Sequence, residues 1–363
     1  MNASAADTYV VTSLSCGRDH TLALLANGKV IGWGGDGSGR VAPDTPGYCS
    51  TFKAPTRAVE VNLAQPLVAV TAGYGVSLGI TARHDVAIWG ANVAGIGGRH
   101  DAIALATPQL LADLPGARVV MAGEFIFGAI DAAGRVHTWG LNSEGALGRP
   151  TGEFNAGPGP VALLPPTRAL ALGKGYMVAL TQDGTLFGWG NNAAGQLGVG
   201  HLKSVATPGP LRLRDGIRSI AAGATHSMAV TSKGKVLAWG SNHHGQLGRP
   251  DVAYATAPMP VGLPEPIQSV AAGMHFSLAL AESGNVYAWG WNGHGQLGLN
   301  DSADRRVAMR VPGLTRVQAI AAGETHAAAL TAGALFGWGS NATGQIGMAT
   351  HKQLLPTPFF ALA

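Results

Sequence analysis

The residues best suited to chemistry recur at fixed offsets from a glycine. His20, His226 and His326 each stand three places after Gly17, Gly223 and Gly323. Three imidazoles could hold zinc. Their shared place in separate stretches points instead to one structural hydrogen bond made again within each unit, so no metal is expected. One and two places after the equivalent glycines come Arg18-Asp19, Tyr74-Gly75, Glu124-Phe125, Lys174-Gly175, Ala224-Thr225, Met274-His275 and Glu324-Thr325. Asp19, Glu124, Lys174, Tyr176, His275 and Glu324 could exchange protons with a substrate if one cleft gathered them and shifted their pKa values. No order of nucleophile, histidine and acid stands out. No cofactor is expected either, because the glycines lack the strand–loop–helix setting of a phosphate cradle. His243, His244 and His294 read as solvated turn residues. Cys16 reads as a small packed residue, and a bridge to Cys49 would need matching geometry and an oxidising compartment.

A repeat positions these residues. Trp-Gly begins at Trp33, Trp89, Trp139, Trp189, Trp239, Trp289 and Trp338, in steps of 56, 50, 50, 50, 50 and 49 residues. Seven of the eight Trp are used in this way, and Trp291 alone falls outside the register. Each unit predicts four short strands punctuated by Gly and Pro, with no apolar stripe of helical period and length. In the fifth unit a Pro-rich piece, 207–214, comes first, then 217–222, 226–231 and 235–239. The motif glycines, Gly17, Gly73, Gly123, Gly173, Gly223, Gly273 and Gly323, end the second strand. Glycine there permits positive φ or close backbone approach. Such a unit cannot bury both faces alone, whereas stacking seven around an axis buries them all. The predicted fold is all-β: one seven-bladed β-propeller of four-stranded blades over residues 9–363, after a short extension at 1–8. The Trp side chains are expected between blades. The chain opens on second-strand sequence, 9–16, and closes on first-strand sequence, 357–362. The ring is therefore expected to close by pairing the N- and C-terminal strands in one blade.

The repeated Ala-Gly-x-x-His-Ser/Thr-x-Ala-Leu, followed by Trp-Gly-x-Asn-x-x-Gly-Gln-Leu-Gly, resembles the regulator of chromosome condensation repeat. The likeness spans residues 12–363 and is best at 222–227 with 239–248 and at 322–326 with 338–347. It implies the seven-bladed propeller, but one fold hosts unrelated roles. The family's founder exchanges nucleotide on a small GTPase, through acidic and His residues two places after the motif glycine. Asp19 and His275 resemble those residues here. The founder's inserted wedge has no counterpart, and the N-terminal residues here are not basic. A plant ultraviolet photoreceptor of this fold uses Trp after that glycine, where this chain has none. A propeller-type β-lactamase inhibitory protein shows that the same face can serve purely to bind protein.

Composition narrows the classes. Lys and Arg number 24 against 20 acidic residues, a net charge of +4 spread over 363 residues. The loose clusters Arg212, Arg214, Arg218 and Arg305, Arg306, Arg310, Arg316 read as solvated faces. No apolar run approaches the length of a membrane-spanning helix, so no membrane partner is expected. Two cysteines and a start without a signal pattern point to the cytoplasm, and the Ala- and Gly-rich composition points to a bacterial source. Arg18, Asp19, Tyr74, Glu124, Phe125, Lys174, Tyr176, Met274, His275 and Glu324 form the expected binding face around the channel. The expected function is a monomeric, non-catalytic binding or regulatory propeller that grips another protein or, second, a small molecule. The alternatives are exchange on a small GTPase and an enzyme using the funnel. Scattered charge predicts no sequence-selective DNA binding, and a gel shift at physiological salt checks it. A specific complex about a thousandfold tighter than the non-specific one would overturn the reading.

Overall fold

The computed structural model describes residues 10–35, 39–41, 58–92, 104–114, 116–211, 213 and 215–361. Cys49, Arg212, Arg214 and the 1–8 extension lie outside the described residues. Seven four-stranded antiparallel sheets form, each from four strands consecutive in sequence. The innermost strands are Val11–Cys16, Leu67–Ala72, Ala117–Ala122, Thr167–Leu172, Ile217–Ala222, Ile267–Ala272 and Ala319–Ala322. Adjacent innermost strands touch around a full circle, the seventh against the first. The second strands, such as His226–Thr231, are buried along their whole length. The third strands carry the Trp-Gly pairs, and all seven of those Trp side chains are buried.

Two expectations about strand assignment are corrected. The Pro-rich strand ends a blade and does not begin one: Val205–Leu211 pairs with Leu186–Gly190, Leu211 opposite Leu186. Proline donates no amide hydrogen, so it belongs where one strand edge faces solvent, the outer rim of the blade it follows. The terminal strands consequently do not pair. Val11–Cys16 is innermost in the first blade, and Lys352–Ala361 is outermost in the seventh, paired with Ala334–Ser340. Packing closes the ring instead. The Phe359 and Phe360 rings meet Trp33 edge-on at 5.2 and 5.5 Å, and Glu324 N donates to Gly17 O at 3.1 Å.

The motif histidines also act otherwise than expected: their bonds run between blades, not within one. His20 Nε2 meets Ser77 Oγ at 3.0 Å, His226 Nε2 meets Ser277 Oγ at 2.9 Å, and His326 Nε2 meets Thr21 Oγ1 at 3.0 Å. Each hydroxyl then donates to a turn carbonyl of the blade that holds the histidine: Ser77 to Arg40 O, Ser277 to Gln246 O and Thr21 to Gln345 O. Since the hydroxyl spends its proton there, Nε2–H must be the donor, and Nδ1 is left bare. Among the described residues Nδ1 of His20, His226 and His326 indeed has no hydrogen-bond partner, the Asp19 carboxylate lying 4.0 Å from that of His20. The seams follow a pairing rule legible along the chain. A polar ring faces a hydroxyl: His20–Ser77, Tyr176–Ser227, His226–Ser277, His326–Thr21. An apolar side chain faces an apolar one: Val76–Phe127, Ile126–Met177, Phe276–Ala327. A buried donor without an acceptor costs about 1–3 kcal/mol, so the two members must match.

Ser277→Ala should destabilise by about 1–3 kcal/mol by orphaning His226 Nε2. Adding His226→Phe should recover most of that loss, since it copies the Phe276–Ala327 seam. A urea double-mutant cycle tests this, and strictly additive effects would sink it. Burial pushes the His226 and His326 pKa values down to about 3, and it holds His20 well below the ordinary value. The unfolded chain therefore binds protons near pH 6.5 that the folded chain refuses. The stability these seams contribute is complete above about pH 6.5 and is lost as pH falls from there towards 3. The denaturation midpoint should fall with acid, less steeply in His226→Phe/Ser277→Ala.

Candidate functional site

The innermost strands all end at the same mouth of the central channel. There the motif glycines bring neighbouring blades within backbone contact. A Cβ on Gly17 would lie 2.5 Å from Gly73 O and 2.6 Å from the His20 ring, so no side chain fits. Six of the seven residues after these glycines bond across the seam: Arg18 N to Gly73 O, Tyr74 N to Gly123 O, Lys174 N to Ala224 O, Ala224 N to Met274 O, Met274 N to Glu324 O and Glu324 N to Gly17 O. These turns enclose a cavity of about 240 Å³ lined by Arg18, Tyr74, Glu124, Lys174, Ala224, Met274 and Glu324, with the motif glycines behind them.

The lining side chains join into a belt over one side of the mouth. Glu324 pairs with Arg18 at 3.3 Å. The Arg18 guanidinium lies 4.2 Å above the Tyr74 ring. Tyr74 packs on Phe125 at 5.3 Å, and Glu124 pairs with Lys174 at 3.4 Å. Phe125 sits at φ 60°, in the left-handed region that the second and fourth blades fill with Gly75 and Gly175. A bulky side chain there is strained by about 1–3 kcal/mol. Burial raises the Glu324 pKa against the pull of Arg18, and the charges of Glu124 and Asp19 add to the rise.

A profile of the RCC1-like domain matches residues 160–362, and profiles of the regulator of chromosome condensation (RCC1) repeat match 11–40 and 133–180. The chain belongs to the RCC1 repeat family. Human WBSCR16 superimposes with a TM-score of 0.80 at 24% identity, over 90% of this chain and 88% of that one. Prp20p of Saccharomyces cerevisiae gives 0.76 at 23%, over 86% and 80%. Yeast RCC1 (Prp20) bound to Kap60 gives 0.76 at 23%, over 99% and 89%. No curated protein matches in a sequence comparison.

In this RCC1-like propeller the expected face divides. Arg18, Tyr74, Glu124, Lys174, Met274 and Glu324 line the cavity, while Asp19, Phe125 and His275 stand outside its lining. Asp19 is held by Arg40 at 3.0 Å, and its pKa is raised by burial despite that cation. His275 belongs to a separate cluster where the fifth and sixth blades meet. It stacks on His244 at 5.4 Å and meets Trp291 at 6.3 Å, and burial, then the neighbouring His244, lowers its pKa. Tyr176 is a correction. It is fully buried, its hydroxyl donating to His226 O at 2.5 Å and lying 3.1 Å from Ser227 Oγ, so it takes the histidine's place in a seam. Arg40 and the Trp291 cluster escaped the sequence reading, although Trp291 had been marked by standing outside the Trp-Gly register. Cys16 is buried with its thiol pushed up to about 12, within 3.7 Å of Thr21 Oγ1. Among the described residues no three His, Cys, Asp or Glu side chains converge as metal ligands.

Phe125→Gly should leave the fold within about 1 kcal/mol of wild type, because relief of backbone strain offsets the lost ring packing. A thermal melt checks this. A large loss of stability would place Phe125 in the core instead of at the mouth.

Proposed function

We propose that this protein is a non-catalytic binding propeller that grips another protein across the channel mouth, through the belt from Arg18 to Lys174. The observation that carries the reading is Phe125. A strained aromatic stands where the second and fourth blades use glycine, beside a half-buried Tyr74 that is capped by a guanidinium. Backbone strain kept at a turn, together with aromatic area and a charged rim, is the composition of an interface anchor. The solved structure of yeast Prp20p is described with its binding to Gsp1p and histones, and another holds Kap60 on yeast RCC1. Propellers of this shape therefore work elsewhere as protein-binding platforms.

Exchange on a small GTPase is the second reading. It needs Asp19 and His275 to act together. Asp19 is already occupied by Arg40, and His275 sits on the sixth blade within its own aromatic cluster. An enzyme would need acid–base groups facing one substrate, and Tyr176 has left that set. Capture from source lysate on immobilised wild type, followed by titration of the purified partner, tests the reading. Tyr74→Ala and Phe125→Gly should each weaken binding about thirtyfold, the effect of losing an anchor worth about 2 kcal/mol. Unchanged affinity in both variants would sink the proposal. Nucleotide release from a captured GTPase that is lost only in Asp19→Ala and His275→Ala would establish the exchange reading instead.

A further inference from the structure

The outer rim of the sixth blade differs from its sisters in one respect. Its outermost strand, Arg305–Arg310, contains no proline. In the other blades the strand pairings place proline at matched positions. Met309 stands opposite Ala288 and Arg310 opposite Tyr287. By the same register, the place of Ala308 is held elsewhere by Pro108, Pro158, Pro208, Pro258 and Pro356. The place of Arg310 is held by Pro160, Pro210, Pro260 and Pro358. The first blade also lacks these prolines, but its outer strand, Val59–Glu60, is only two residues long.

The prolines show which way the amides point. Val311 N, one residue further on, donates inward to Val286 O at 2.8 Å, as Val261 N does to Val236 O at 3.0 Å. Strand amides alternate, so those of Ala308 and Arg310 point out of the sheet. Among the described residues no acceptor from another element meets them. The third, fourth, fifth and seventh blades remove both donors and the second removes one, which blocks an added strand there. The sixth blade keeps them, over six residues, with Val307 46% and Met309 42% exposed beside them.

We propose that this edge accepts an extended segment of a partner protein as a fifth strand, and that the segment alternates acidic and apolar residues. Met309 and Arg310, paired regularly opposite Ala288 and Tyr287, stand on opposite faces, and Arg306 and Val307 lie exposed beside them in the register shift that precedes this pair. An added strand would set its acids against the arginines and its apolar side chains against Val307 and Met309, while backbone bonds supply the affinity. Charge disfavours a second copy of this chain. Antiparallel self-pairing about Ala308 places Arg306 directly opposite Arg310, and like charges in that position are destabilising. Arg306 bonds His243 O at 3.3 Å and Arg310 bonds Asn285 Oδ1 at 2.7 Å, both exposed contacts, and Arg310 also lies within the field of the Glu265 carboxylate. This surface lies on the outer rim, separate from the channel mouth.

The probe is a short fluorescein-labelled peptide of alternating Glu and Val, read by anisotropy against the full chain. Ala308→Pro/Arg310→Pro copies the sister strands, so it should melt like wild type while binding the peptide at least about tenfold more weakly. A Lys–Val peptide should bind wild type about tenfold more weakly than the Glu–Val peptide, and Arg306→Glu/Arg310→Glu should reverse that preference. In wild type, hydrogen exchange at Ala308 and Arg310 should slow when the Glu–Val peptide is added. Equal binding by wild type and the double-proline variant overturns the proposal, as does no binding by either. A wild-type dimer in sedimentation that the proline variant abolishes overturns it in favour of self-association.

Discussion

One buried carbonyl at the blade seam carries much of this architecture. Gln246 O accepts from both Trp289 Nε1 and Ser277 Oγ, each at 2.9 Å, and both donors belong to the next blade. Gln196 O does the same for Trp239 Nε1 and Ser227 Oγ, and Arg40 O for Trp89 Nε1 and Ser77 Oγ. The repeat thus conserves a junction as much as a blade. The Trp must be buried to reach the carbonyl, and the turn must be tight to present it. Gly148 and Gly198 leave no room for a side chain against the Trp189 and Trp239 indoles they face.

Fixing the seams at depth leaves the turns at the mouth free to vary. The same offset holds Arg18, Tyr74, Glu124, Lys174, Ala224, Met274 and Glu324, seven chemically different choices on one repeated backbone. The belt on one side is coupled from blade to blade by an ion pair, a cation–aromatic contact and a ring contact. The opposite side has small Ala224 and the flexible thioether of Met274. A rigid scaffold with one patterned rim is suited to recognition.

The seam rule also explains why some repeats look degenerate. Val76, Ile126 and Phe276 replace the motif histidine, and in each case the residue across the seam is apolar as well: Phe127, Met177 and Ala327. Those seams bury hydrocarbon where the others bury a hydrogen-bonded relay. Mixing the two would strand a polar atom in the interior, so the repeats diverge in matched pairs.

The blade count, the strand lengths, the burial of the Trp and the family were all legible in the sequence, because each depends on spacing and on the local demands of Gly, Pro and Trp. The rim positions were legible for the same reason, since every blade delivers the residue after its motif glycine to one opening. What needed the tertiary structure was every choice between neighbours. Spacing alone cannot say whether a Pro-rich strand joins the unit before it or after it; the sheet edge decides, because proline tolerates only an unpaired side. That single choice moved the terminal strands into different blades. Nor can a residue's own type say that Tyr176 faces inward: its hydroxyl is satisfied by His226 and Ser227 of the following blade. Asp19 looked available until Arg40, from a turn the periodicity does not align, came within 3.0 Å. These are contacts between blades, and they come into being only when the ring is closed.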